Sequence, residues 1–428
     1  MQANGARHAN VTLLRRHFRC DPAGGGIKVG LPRVKLALVT ETYPPEVNGV
    51  AMTLGRLVGG LAARGHEVEV VRPRQDGEEK IPGRERRAGG VTERLVPGVP
   101  IPFYQTLKIG LPVWGRLRRR WTADPPDVVH VATEGPLGLT AMRVARRLGL
   151  PVTSGFHTNF HHYGRHYGLN QLRDATVTYL RWFHNRAACT MVPTDEMRGQ
   201  LAAHGFARLV VIARGVDAAL FSPQKRSAEL RASWGAAEDD PVFIHVGRVA
   251  AEKNLGLAVQ AFSLAQRLEP RARCVFVGDG PERASLQKKH PRFHFAGVRR
   301  GEELAAYYAS ADVFVFPSTT ETFGNVVTEA MASGLVVLAF DYAAARQHVR
   351  PGANGVTVPL DESQAFLAAV EDLLARRAAW PALRAAARET ALGLTWENIV
   401  AQFEDELRRA QTGNSARAAP VVLTAAGG

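Results

Sequence analysis

The 428-residue sequence predicts an α/β protein in which two doubly wound domains face each other across a cleft. Three observations point there. The length exceeds what one hydrophobic core serves and suits two domains of about 200 residues. From residue 34 onward, short β-branched runs alternate with longer segments of helical periodicity, as parallel βαβ units require. The alternation closes near residue 213 and restarts near 241, so the pattern occurs twice.

Residues 1–32 are Gly-rich, basic and aperiodic, and read as a disordered arm. Residues 34–39 form the first apolar strand run. A loop with Pro44, Pro45 and Gly49 follows. Val50, Leu54, Leu57, Val58 and Leu61 then recur at helical spacing, and Arg64-Gly65-His66 ends that helix. Strands are expected at 68–71, 128–131, 152–154, 188–192 and 209–212. Helices are expected at 137–148, closed by Gly149, at 171–186, and after the capping residue Thr194. These elements complete a first domain over 33–213, with 214–240 as linker. The second domain, 241–394, has strands at 242–246, 274–277, 293–295, 313–316 and 335–340. Its helices fall at 255–268, 282–289, 302–309 and 325–332. A final helix covers 395–411, and 412–428 is a small, polar tail.

Composition narrows the function. Cys20, Cys189 and Cys274 are far apart and make no C-x-x-C pair, against a zinc or disulfide framework and in keeping with a reducing compartment. The apolar patch at 11–14 is broken at once by Arg15 and Arg16, so no secretory leader is read. No apolar run approaches the roughly 18 residues of a membrane span. A cytoplasmic protein is expected. The net charge of +14 favours anionic partners, namely phosphorylated substrates, anionic lipid or nucleic acid. No nucleic-acid recognition motif accompanies it.

The chemistry-bearing residues cluster behind strands, where ligands of open α/β sheets bind. The strongest signal is PSTTETFGNVVTEAMASGLVV at 317–337. Glu321 lies on its loop and Glu329 inside the helix that follows. Phe323 and Gly324 make the turn, and the amides of Asn325, Val326 and Val327 open the helix as an anion site. Carboxylates accept from sugar hydroxyls while amides hold phosphate, so a sugar nucleotide fits at both ends. After the strand at 242–246 come Gly247-Arg248 and Lys253, two cations able to clamp a diphosphate; alone they also read as surface charge. Gly278-Asp279-Gly280 follows the strand at 274–277, and Gly297-Val298 the strand at 293–295. The first allows a ring or ribose close to the backbone, the second could supply backbone contacts to a base, and both also read as ordinary turns. In the first domain, Phe156-His157-Thr158-Asn159-Phe160 follows the strand at 152–154. His157 is placed to touch substrate. His161, His162 and His166 come next, with no neighbouring carboxylate to support a metal site. Asn48-Gly49 starts a helix and could offer amides to phosphate. It matches neither a dinucleotide fingerprint nor a P-loop.

With these motifs in place, the chain from about 34 to 409 resembles family 4 glycosyltransferases of the GT-B fold, two Rossmann-like domains across a cleft. The carriers are Gly-Arg-x4-Lys at 247–253, Gly-Asp-Gly at 278–280 and Glu321-x7-Glu329. TETYPPEVNGVAMTL and FHTNFHHY are similar to bacterial α-mannosyltransferases acting on glycolipids. The resemblance implies that Arg248 and Lys253 bind the donor diphosphate, Glu321 the transferred sugar and Glu329 the ribose. It places His157 near the sugar and Gly49 near the diphosphate. It implies a GDP-mannose or UDP-hexose donor, a lipid or glycan acceptor, retention of configuration and no metal. One departure is Asn48, where many members have glycine. No first-domain carboxylate is expected beside His157, which favours same-face attack with the departing phosphate as base over a covalent intermediate. Arg116, Arg118, Arg119 and Arg120 between Trp114 and Trp121 suit an anionic membrane surface, as they suit plain solvation. A sugar-nucleotide epimerase and a non-catalytic sugar-nucleotide binder are the competing readings.

Overall fold

The computed structural model describes residues 32–413 except 47, 76–77, 79–84, 102–103 and 158–169. The N-terminal arm expected at 1–32, Cys20 and almost all of the tail lie outside the described residues.

The first sheet has eight strands in the order β10-β9-β8-β7-β1-β2-β4-β3. They are β1 (Lys35–Val39), β2 (Glu67–Pro73), β3 (Glu85–Ala88), β4 (Val91–Val96), β7 (Val128–Val131), β8 (Val152–Gly155), β9 (Thr190–Val192) and β10 (Leu209–Val211). All neighbours are parallel except β3 and β4. A separate antiparallel hairpin joins β5 (Gly98–Ile101) to β6 (Tyr104–Gly110). The second sheet is parallel throughout, in the order β13-β12-β11-β14-β15-β16. It contains β11 (Val242–Val246), β12 (Arg273–Val277), β13 (His294–Gly297), β14 (Val313–Phe316), β15 (Val336–Phe340) and β16 (Val356–Val358). β11 and β15 are buried at every residue, as strands covered on both faces must be.

Strand order reverses direction between β1 and β7 in one sheet and between β11 and β14 in the other. Ligand crevices of such sheets open at the carboxyl ends of those pairs. The loops after β1, β11 and β14 are those that carry Gly49, Lys253 and Glu321.

Strands β3 to β6 have no counterpart in the sequence reading. β4 carries Glu93 and Arg94 beside β2, whose Glu69 and Arg72 are also charged. Their charges are absorbed by ion pairs, Glu93 with the buried Arg72 at 2.6 Å and Arg94 with Glu69. Cross-strand pairing here replaces the apolar run that would have marked the strand.

The segment 214–240, expected as linker, is built into the second domain. It forms a 3-10 turn at Pro223–Lys225 and a helix at Ala228–Ser233, and its Phe221 and Trp234 enter the second core. Arg231 is buried and donates to the carbonyls of Ser310, Ala237 and Asp240 at 2.6–2.8 Å. The last helix, Trp396–Gln411, packs back on the first domain. Its Val400, Phe403 and Leu407 join β1 and the helix Gly49–Ala63 in one core. A methyl built on Gly60 would lie 2.5 Å from a Val400 methyl, so glycine sets that close approach. The two chain crossings run side by side, Val216 bridging Thr395.

Candidate functional site

The loop after β14 turns at Gly324, which has φ 91° and caps the helix Asn325–Ala332. That backbone conformation favours glycine. Glu321 stands on this loop. Its Oε1 accepts from Lys253 Nζ at 2.5 Å and from Ser318 Oγ at 2.7 Å. Tyr342 Oη holds the Glu321 carbonyl at 2.8 Å, and Thr320 Oγ1 ties the loop to the Glu252 carbonyl at 2.9 Å. The loops after β11 and β14 are thus cross-braced around one carboxylate. Arg248 is exposed and pairs with Glu252 at 3.1 Å.

At the head of the helix, Val327 N bonds to the Gly324 carbonyl, so it is committed within the turn. Among the amides the sequence marked, Asn325 and Val326 remain at the helix mouth, and Asn325 Oδ1 is buried without a partner among the described residues. Glu329 lies one turn in. Tyr308 Oη donates to its Oε2 at 3.1 Å, and desolvation lifts its pKa to about 7.

The glycines after β12 serve the backbone. A methyl on Gly278 would sit 1.9 Å from the Gly247 carbonyl oxygen, and one on Gly280 2.3 Å from that of Val249. Val249 N donates to the Asp279 carbonyl at 2.9 Å. The Gly-Asp-Gly loop therefore seats the Arg248 loop. The Asp279 side chain turns away to its own loop, accepting from Gly280 N and pairing with Arg283. Gly278 N bonds to the Gly297 carbonyl, which brings exposed Val298 into the same loop cluster.

From the first domain, His157 reaches the cleft. Its carbonyl accepts from Thr322 Oγ1 at 3.4 Å, one residue from Glu321. Both ring nitrogens are buried without partners among the described residues, and burial, with Arg214, His130 and His184 nearby, holds its pKa well below the imidazole range. A neutral ring is the consequence. Behind it, His184 packs at a tilt against Phe156 and bonds Ser154 Oγ at 2.9 Å and Glu134 Oε1 at 3.1 Å. A small pocket, partly open to solvent, is lined by His157, His130, Gly155 and Arg214 among others. Thr158, Asn159, Phe160, His161, His162 and His166 lie outside the described residues.

Asn48 keeps an extended backbone, φ −142°, and its side chain caps the helix Gly49–Ala63 by accepting from Val50 N at 3.1 Å and Ala51 N at 2.8 Å. Positive φ is not used there. Glu134 and Glu41 follow strands of the first domain. Glu134 is engaged with His184, and Glu41 receives Leu137 N at 3.3 Å with its pKa raised by burial to about 7. The sequence reading passed over Arg214, Tyr308 and Tyr342, which lie outside the motifs, and Ser318, which lies inside the 317–337 run without being singled out. A second bridge across the cleft, Glu196 Oε2 accepting from Ala343 N at 3.1 Å, was likewise invisible.

Two parallel-sheet domains, with cations and carboxylates gathered where both sheets switch direction, define a GT-B glycosyltransferase. The comparisons agree. A model of glycosyltransferase family 4 matches residues 47–220, and one of glycosyl transferases group 1 matches 240–376. A GDP-mannose-dependent alpha-mannosyltransferase of Mycobacterium tuberculosis is 37% identical over 85% of this chain and 93% of its own. An alpha-monoglucosyldiacylglycerol synthase of Acholeplasma laidlawii is 27% identical over 76% and 84%. The sucrose-phosphate synthase structure from Thermosynechococcus elongatus superposes with a TM-score of 0.70 at 21% identity, over 88% of this chain and 99% of that one. The chain belongs to glycosyltransferase family 4, and it is a hexosyltransferase.

Proposed function

We propose that this protein transfers mannose from GDP-mannose to a hydroxyl of a lipid or glycan acceptor, with retention of configuration. The observation that carries this reading is the Lys253–Glu321 pair at 2.5 Å, held at the carboxyl ends of β11 and β14 and bridged by Thr322 to His157. In it, Arg248 and Lys253 take the diphosphate, Glu321 orients the sugar hydroxyls and Glu329 accepts from the ribose. The relatives named for GDP-mannose support the choice of donor, and the diacylglycerol glucoside synthase supports a lipid acceptor.

Retention follows from attack on the face the phosphate leaves. The acceptor oxygen bonds to the anomeric carbon as the carbon–oxygen bond to the β-phosphate breaks. The hydroxyl proton passes to the departing phosphate oxygen. His157, kept neutral, can donate or accept one hydrogen bond beside that carbon without adding charge. Glu134 and Glu41 are engaged on His184 and Leu137 N, and Glu196 on Ala343 N, which supports this route over a covalent intermediate.

Membrane contact belongs to the same reading. Arg118 and Arg119 are exposed on the helix Trp114–Ala123. Arg147 covers Trp114 at 4.6 Å, Arg186 covers Trp182 at 3.9 Å, and Leu111, just before Trp114 in sequence, is exposed. Basic and aromatic groups together suit an anionic bilayer surface. Among the described residues no helix is long and apolar enough to cross a membrane.

Thermal shift with GDP, UDP and their sugar conjugates tests the donor, followed by transfer of labelled mannose to a lipid extract. Stabilisation by GDP and GDP-mannose is expected. Stabilisation by UDP-sugars alone would replace the donor, and no response to either nucleotide would remove the site.

A further inference from the structure

Arg214 lies three residues beyond β10, where the chain leaves the first sheet. It is 5% exposed, and its Nη2 has no hydrogen-bond partner among the described residues. No carboxylate of the described residues pairs with it, whereas the comparably buried Arg72 and Arg231 each have acidic partners. A buried, unpaired cation costs several kcal/mol, so it marks a place where an anion is expected. Burial lowers its pKa only to about 10, which leaves it charged at neutral pH.

Its surroundings identify the anion. The guanidinium carbon stands 5.7 Å from the Phe323 ring centroid, beside the Gly324 turn. A methyl built on Gly49 would lie 3.3 Å from Nη1. Glu321 and His157 both act on it or are acted on through charge. Arg214 thus sits among the elements assigned to the donor, at the place where Gly49 was expected to offer amides to the diphosphate. The next two amides of that turn are already used, since Asn48 accepts from Val50 N and Ala51 N with its own side chain.

We infer that Arg214 is a donor-binding residue whose guanidinium takes phosphoryl oxygens of the nucleotide diphosphate from the first-domain side, replacing amides that Asn48 has capped. Arg248 and Lys253 approach the same group from the second domain. This rests on the donor site proposed above. Arginine suits the role because its planar fork can meet two phosphoryl oxygens at once.

The test is calorimetric binding of GDP, UDP and GMP to the full chain, with R214M, R214K and the double variant N48G/R214M, each checked by melting temperature. R214M should weaken GDP binding at least about tenfold, the loss of one charge-assisted contact, and leave GMP binding within about threefold. N48G in that background should recover part of the loss, because it frees two amides. Unchanged GDP affinity in R214M, or an equal loss for GMP and GDP, would overturn the inference. If R214M does not fold, R214K carries the test, with weaker GDP binding expected and wild-type affinity overturning it. A wild-type protein that binds neither GDP nor UDP would instead remove the donor site itself.

Discussion

Lys253 and Glu321 meet at 2.5 Å although 68 residues separate them, and each side chain is less than one-fifth exposed. Ser318 shares the same carboxylate oxygen. The ammonium is therefore fixed rather than free. In the proposed donor site the other carboxylate oxygen would meet a sugar hydroxyl, and the diphosphate a cation already in position.

Glu321→Ala and Lys253→Ala should each cut transfer by at least about a hundredfold, some 2.7 kcal/mol of transition-state stabilisation. Loss of either partner of this half-enclosed pair should cost about 1–3 kcal/mol of stability, leaving a folded protein. Initial-rate assays and circular dichroism melts check both points, and full activity in either variant would refute the site assignment.

Glu329 makes a pH-dependent trade. Its folded pKa is raised from 4.5 to about 7 by desolvation. Between those values the unfolded chain ionises first, so stability is lost as pH rises through that window, by about 3 kcal/mol. Glu329→Gln removes the ionisation yet keeps an acceptor for Tyr308. It should be more stable than wild type at pH 8 and nearly equal at pH 4.5, while binding GDP more weakly. Urea unfolding at the two pH values tests this, and an equal difference at both would rule it out.

Gly278→Ala forces a methyl against the Gly247 carbonyl from a backbone with φ 134°. It should destabilise by about 1–3 kcal/mol and reduce donor affinity through the displaced Arg248 loop. Gly256→Ala, with nothing within 4 Å on the helix Leu255–Leu268, should be neutral or stabilise by up to about 1 kcal/mol. Equal effects at the two positions would contradict the packing argument.

Reversing charge on the outer face, with Arg118→Glu and Arg119→Glu together, should abolish flotation with vesicles containing phosphatidylglycerol and spare GDP binding. Each arginine near an anionic surface is worth about 1 kcal/mol. Wild-type protein that stays at the bottom of the gradient would remove the membrane proposal.

Much of the architecture was legible in the chain because the signals are local. Continuous apolar runs such as β11 and β15, glycine stops such as Gly65 and the Thr194 cap are properties of a few consecutive residues. The donor loops were legible for the same reason, since residues directly after a parallel strand must line its carboxyl edge. Strand β4 was not, because its Glu93 and Arg94 are satisfied by Arg72 and Glu69 of the neighbouring strand.

By itself, then, the sequence determined two doubly wound sheets and the positions of Glu321, Glu329, Arg248 and Lys253 behind their strands. Only the tertiary structure decided which groups share a site. It set Lys253 on Glu321, turned the Gly278 and Gly280 requirement toward the 247–249 backbone, spent two amides on Asn48, and left Arg214 Nη2 buried without a hydrogen-bond partner among the described residues. Each of these depends on where separate loops cross, and close packing between distant segments leaves no periodic trace along the chain.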